Sequence, residues 1–208
     1  MKLYLEIGKV NFKISIRPHM IFALILLLLS PAFMGIRNLD AAGSAIVLEK
    51  YVALIGIVML VPTFYPEQDR SICDVVEAKL VHMNKVYIIR LVMSLMVVTG
   101  LILSYMLVMK YNNCTFDFPA YFAGILGECI LLGGLGLFAY SLTDHIIAGY
   151  MAAIIYYMLS LFGSSRSMGI LYLFTLTRGN HMNKVLHAMI GLGLLALAIV
   201  IKSSRGRR

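Results

Sequence analysis

Charge is what this sequence has least of. Only 13% of its 208 residues are Asp, Glu, Lys or Arg, against 61% hydrophobic. Soluble domains carry about 25% charge and roughly 45–50% apolar residues, so a soluble globular domain is excluded. Cysteine is scarce too. Cys73, Cys114 and Cys129 are three in number and have no CxxC spacing, which supports neither a zinc site nor a disulfide scaffold. They read as small apolar fillers. No GxxxxGK[ST] run occurs, so the chain has no phosphate-cradling loop of its own. A small-x-small cleavage site is also missing after the first apolar run, IFALILLLLSPAF, which therefore reads as an uncleaved anchor.

What is present is apolar runs of membrane length. A bilayer core takes about 20 apolar residues per helix. Six segments are expected to span: 20–36, 46–64, 86–109, 118–140, 146–163 and 185–201. They leave no room for a separate globular domain such as an ATPase. The expected fold is all-α, a polytopic membrane protein with six transmembrane helices, forming one domain over 1–208. Its basic residues orient it. With the N-terminus inside, the inner segments hold Lys2, Lys9, Lys13, Arg17, Arg70, Lys79, Lys85, Arg90, Lys202, Arg205, Arg207 and Arg208. The outer segments hold Arg37, Lys50, Lys110, Arg166, Arg178 and Lys184. Twelve against six places both termini in the cytoplasm. The N-tail alternates apolar and polar residues and suits a membrane surface, with its backbone state left open.

The most charged stretch is PEQDRSICDVVEAKLVHMNKVYIIR, Pro66 to Arg90. Pro66 suits a first helical turn, and Glu67 and Asp69 suit the positive end of a helix. Ile72, Val75, Val76 and Leu80 form one apolar stripe, with Arg70, Asp74 and Glu77 opposite and Lys79 beside the stripe. This spacing predicts a short surface helix over 66–82. It either tidies a connection or docks a cytosolic partner through its mixed-charge face.

Few polar groups fall inside the apolar runs. Glu49 and Lys50 open the second and are expected near the interface, and Arg90 lies one turn into the third, within snorkelling reach. Glu128, in GECILLGGLG, must face protein or water. It is a candidate for the substrate path or a cross-helix hydrogen bond. The glycines crowding that run permit close helix contact, within the bundle or between subunits. Asp144 and His145 mark a tight turn and a helix start, with Asp as the cap. The outer stretch 164–184 contains GILYLF, around 170–174, too short to cross. It is either a re-entrant piece or an ordinary loop.

The order of these elements, and the run PEQ…I..VVEAK…IR in particular, resembles the membrane subunit of type 2 ATP-binding cassette exporters, especially small permeases of Gram-positive bacteria. The resemblance covers the whole chain. It implies a permease subunit that moves a peptide or other amphipathic substrate across the cell membrane. It implies that 66–82 holds the coupling helix that seats in the ATPase, with Glu67, Arg70, Asp74, Val75, Glu77 and Lys79 as the contact segment. It also implies a homodimer or heterodimer with a second permease, in membrane lipid, with no nucleic acid bound. No cofactor is expected on this chain; ATP and Mg belong to the partner ATPase. The alternative is an integral membrane enzyme, for example a peptidase built on Cys73 and His82. A third class is a passive channel or scaffold.

Overall fold

The computed structural model describes Phe12 and residues 16–68, 83–178 and 182–205. Among the described residues there is no strand, so the expected all-α fold stands. Six main helices succeed one another: α1 (Arg17–Met34), α2 (Ala41–Pro66), α3 (Met83–Tyr111), α4 (Phe118–Thr143), α5 (Ile146–Phe162) and α6 (Met182–Arg205). Five are long and apolar enough to cross a bilayer; the sixth, α5, is an apolar helix of 17 residues. That length reaches about 25 Å at 1.5 Å per residue, the lower limit for a span. The protein is a multi-pass membrane protein.

Contacts at the helix ends set the topology. Tyr140 donates to the Phe64 carbonyl at 3.2 Å, Lys202 pairs with Asp144 at 2.5 Å, and His19 packs edge-on against Tyr65. The start of α1, the ends of α2, α4 and α6, and the start of α5 therefore share one end of the bundle, here the tail end. At the other, the loop end, Asn38 N–H donates to Asn112 O at 3.0 Å and Thr115 N–H to Leu39 O at 2.9 Å. The helices thus alternate up and down, and both chain ends of the bundle lie together.

The second span is not one regular helix. A π turn, Leu48–Val52, interrupts it, and a 3-10 stretch, Val61–Gln68, ends it. Pro66, expected to open a new helix, instead lies inside this 3-10 tail. Asp40 starts the span as an N-cap, accepting from Gly43 N–H at 2.8 Å. Asp144 is not the cap of α5. It closes α4 in the left-handed conformation, φ 57°, while His145 stands at the start of α5.

Burial places α2 and α4 at the centre, with 78% and 67% of their apolar windows covered by protein, against 17% for α1. Glycine explains how three helices reach α4 at once. A Cβ on Gly134 would stand 2.7 Å from Gly191 O of α6, and one on Gly127 2.8 Å from Lys184 O. On other faces of α4, Gly133 meets Leu60 and Gly56 of α2, and Gly136 meets Gly149 of α5. Water does not drive helices together inside a bilayer, so close backbone approach and dispersion contact supply the association. These glycines serve internal packing.

Candidate functional site

Two carboxylates and one ammonium meet inside the bundle. Lys184 Nζ, near the start of α6, lies 2.7 Å from Glu49 Oε1 and 2.8 Å from Glu128 Oε2. Its third donor goes to Leu173 O at 2.5 Å. Glu49 and Glu128 are fully buried and Lys184 is 3% exposed. Glu128 lies ten residues past Phe118 and fifteen before Thr143, or about 15 Å and about 22 Å along the helix. The triad is therefore set well below the loop end.

The segment between α5 and α6 forms its roof. After a one-turn helix, Ser165–Met168, and a 3-10 turn, Gly169–Leu171, the chain bends at Leu173, where Thr175 N–H donates to Leu173 O at 2.9 Å, and enters a second 3-10 turn, Leu176–Arg178. Leu173, Phe174, Thr175 and Leu176 are buried. Non-helical backbone at such a depth must find partners in protein. Leu176 N–H donates to Glu49 Oε1 at 2.8 Å. Tyr156 donates to Leu171 O at 2.6 Å, and a His187 ring nitrogen lies 3.0 Å from Ile170 O. Side chains from α2, α5 and α6 thus hold the backbone of one short segment, of which Leu173–Leu176 is buried in the bundle.

The π turn carries Glu49 on α2. Its backbone carbonyls find tertiary partners: Tyr157 donates to Lys50 O at 2.7 Å, and the Cys129 thiol lies 3.8 Å from Val52 O. Such turns recur at functional sites because they re-aim a side chain without breaking the helix. Tyr157→Phe removes the donor to Lys50 O and is expected to lower stability by about 1–3 kcal/mol. A matched change in the heat resistance of the detergent-solubilised protein checks this. An unchanged value means that the π turn does not need the phenol.

Glu49 Oε2 and Glu128 Oε1 accept no hydrogen bond from the described residues. The same holds for Thr175 Oγ1 and His187 Nδ1. No group of three or more His, Cys, Asp or Glu suited to a metal occurs among the described residues.

Three sequence expectations change here. Glu49 was expected near the interface; it is fully buried, because Lys184 reaches it from the far helix. Lys184, counted among the outer loop cations, is in the core for the same reason. Arg90, expected to snorkel, is buried by the protein at 3% exposure. Glu128 does face protein, with Lys184 Nζ donating to its Oε2 at 2.8 Å. Cys114 and Cys129 are free and buried, as small apolar fillers would be. Of the coupling segment, Arg70, Asp74, Val75, Glu77 and Lys79 lie outside the described residues, as do Cys73, His82 and the N-tail before Phe12. The backbone at Glu67 belongs to the 3-10 end of α2. The missed residue is Lys184. Its signal in the sequence is a single cation at the edge of an apolar run that faces two acids in other runs.

Fold and site together define a polytopic helical membrane protein with an ion triad sealed under one mouth of the bundle. No family model, curated protein or solved structure matches the chain.

Proposed function

We propose that this chain is the membrane-spanning permease subunit of an ATP-binding cassette exporter in a bacterial cell membrane, and that it moves a peptide or other amphipathic substrate. The tail end is then cytoplasmic, in line with the excess of Lys and Arg in the segments that meet there. Energy comes from ATP and Mg on a separate ATPase subunit, and a second permease, identical or related, completes the pathway.

One observation carries this reading. The rod α2 ends at the tail end in the chain that leads to the charged 66–82 segment, and near its other end Glu49 holds the roof through Leu176. A push on 66–82 would therefore pass along α2, its 3-10 end and its π turn included, to the segment over the triad. Transmission of force asks of such an element that it be rigid and have two discrete positions.

The test is isolation from native membrane in mild detergent, followed by identification of what comes with the chain. An ATP-binding cassette ATPase is expected, and reversing the charges at Asp74 and Glu77 to Lys is expected to reduce its recovery while leaving the amount of folded permease unchanged. Unchanged association and transport would remove those side chains as docking contacts. Activity of the chain alone, lost on Cys73→Ala, would replace the permease reading with the enzyme one.

A further inference from the structure

The triad contains a complete seat for a primary ammonium. Three acceptors, Glu49 Oε1, Glu128 Oε2 and Leu173 O, surround one nitrogen at 2.7, 2.8 and 2.5 Å. A primary ammonium has three N–H donors, so all are used. The occupant is the protein's own Lys184, whose stem belongs to α6, while one acceptor belongs to the roof segment. A second oxygen on each carboxyl group is buried without a partner among the described residues. Beside the seat, Phe174 packs edge-on against Tyr157 at 5.8 Å and against Tyr172 at 5.8 Å. Aromatic rings next to buried acids suit a molecule that carries an amine on an apolar body.

We propose that Glu49 and Glu128 form the recognition site for a primary ammonium group on the transported molecule, with Lys184 as a tethered occupant of the closed state. This rests on the permease reading and adds to it a substrate class: cationic amphipaths with a free primary amine. An arriving ammonium displaces Lys184. The Leu173 carbonyl then accepts from a donor that is not tied to α6, and of the two side-chain ties from α6 to the roof only His187 to Ile170 O is left. Binding therefore loosens the roof toward an open form, because Leu173 O and Glu49 hold both the cation and the roof.

The experiment follows the roof directly. Cys73, Cys114 and Cys129 are replaced by Ala, and Thr175→Cys supplies a single thiol at a buried roof position. The full chain in lipid nanodiscs, without nucleotide, is treated with a water-soluble maleimide in the presence of dodecylamine, dodecyltrimethylammonium or dodecanol at equal membrane fraction. Dodecylamine is expected to speed labelling about tenfold by shifting the roof toward its open form. The quaternary ammonium, which has no N–H, and the alcohol are expected to leave the rate alone. Glu128→Gln is expected to abolish the amine effect, and Glu49→Gln, whose amide oxygen can still accept from Leu176, provides a second arm if the first variant does not fold. Equal acceleration by all three amphipaths, no acceleration by the amine, or acceleration that persists in both Gln variants would overturn the proposal. The outcome is separable from the permease reading. Amine-dependent labelling in a chain that recruits no ATPase keeps the site and rejects the exporter; recruitment without amine dependence does the reverse.

Discussion

Lys184→Met should leave almost no folded protein at temperatures where the unmodified chain survives. The substitution keeps the stem and removes the ammonium, so two fully buried carboxylates face each other's field with no counter-charge. Removing one partner of a buried ion pair costs about 3–5 kcal/mol. Total stabilities are only about 5–15 kcal/mol, so this is a large fraction of the whole. The Leu173 carbonyl loses its Lys184 donor in the same step and keeps Thr175 N–H. The control is a triple variant that adds Glu49→Gln and Glu128→Met to Lys184→Met. It carries no charge at the triad and keeps an acceptor for Leu176 N–H, so it is expected to recover most of the lost stability. The measurement is the temperature at which half the protein stays monodisperse by size-exclusion chromatography in mild detergent. A Lys184→Met protein as heat-resistant as its parent would mean that the triad is not held as described.

The second large effect is expected at glycines that have no space for a methyl group. Gly56→Ala puts its Cβ against the Cys129 backbone, with the Cys129 Cα 2.6 Å away. Gly191→Ala meets Leu131 N at 2.6 Å. In both cases the obstacle is backbone of another helix, which cannot rotate aside as a side-chain tip can. The helices must separate, with losses along the whole contact. Overpacking of a filled core costs about 1–3 kcal/mol, and more where nothing can yield. Gly193, two residues from Gly191 on the same helix, has nothing within 4 Å of an added Cβ. Gly193→Ala should therefore be neutral or slightly stabilising, since Ala is the better helix former. Comparable losses at Gly191 and Gly193 would contradict the α4–α6 contact, because helix propensity cannot separate the two positions.

Reading the chain in order reveals the apolar runs and their number, because a bilayer demands that many consecutive apolar residues wherever the chain crosses. Their approximate limits follow from the same demand, although α2 begins at Ala41, before the 46 expected, where Asp40 caps it. The GILYLF segment shows the limit of such reading. Its composition fits an exposed loop and a buried re-entrant piece equally well. What separates them is whether its carbonyls find donors, and those lie on Tyr156, Lys184 and His187, in the helices on either side.

By itself, then, the sequence determined an all-helical chain that repeatedly crosses a membrane, the position of its most charged segment, and the presence of acids that water could not solvate. Only the tertiary structure decided where those acids find their charge. Glu49, Glu128 and Lys184 belong to three different helices, and hydropathy sums a local window of residues, whereas an ion pair depends on distance through space. The π turn in α2 and the glycine contacts of α4 bring the three together. Neither is visible as a local pattern, since each becomes necessary only when a second helix is in place.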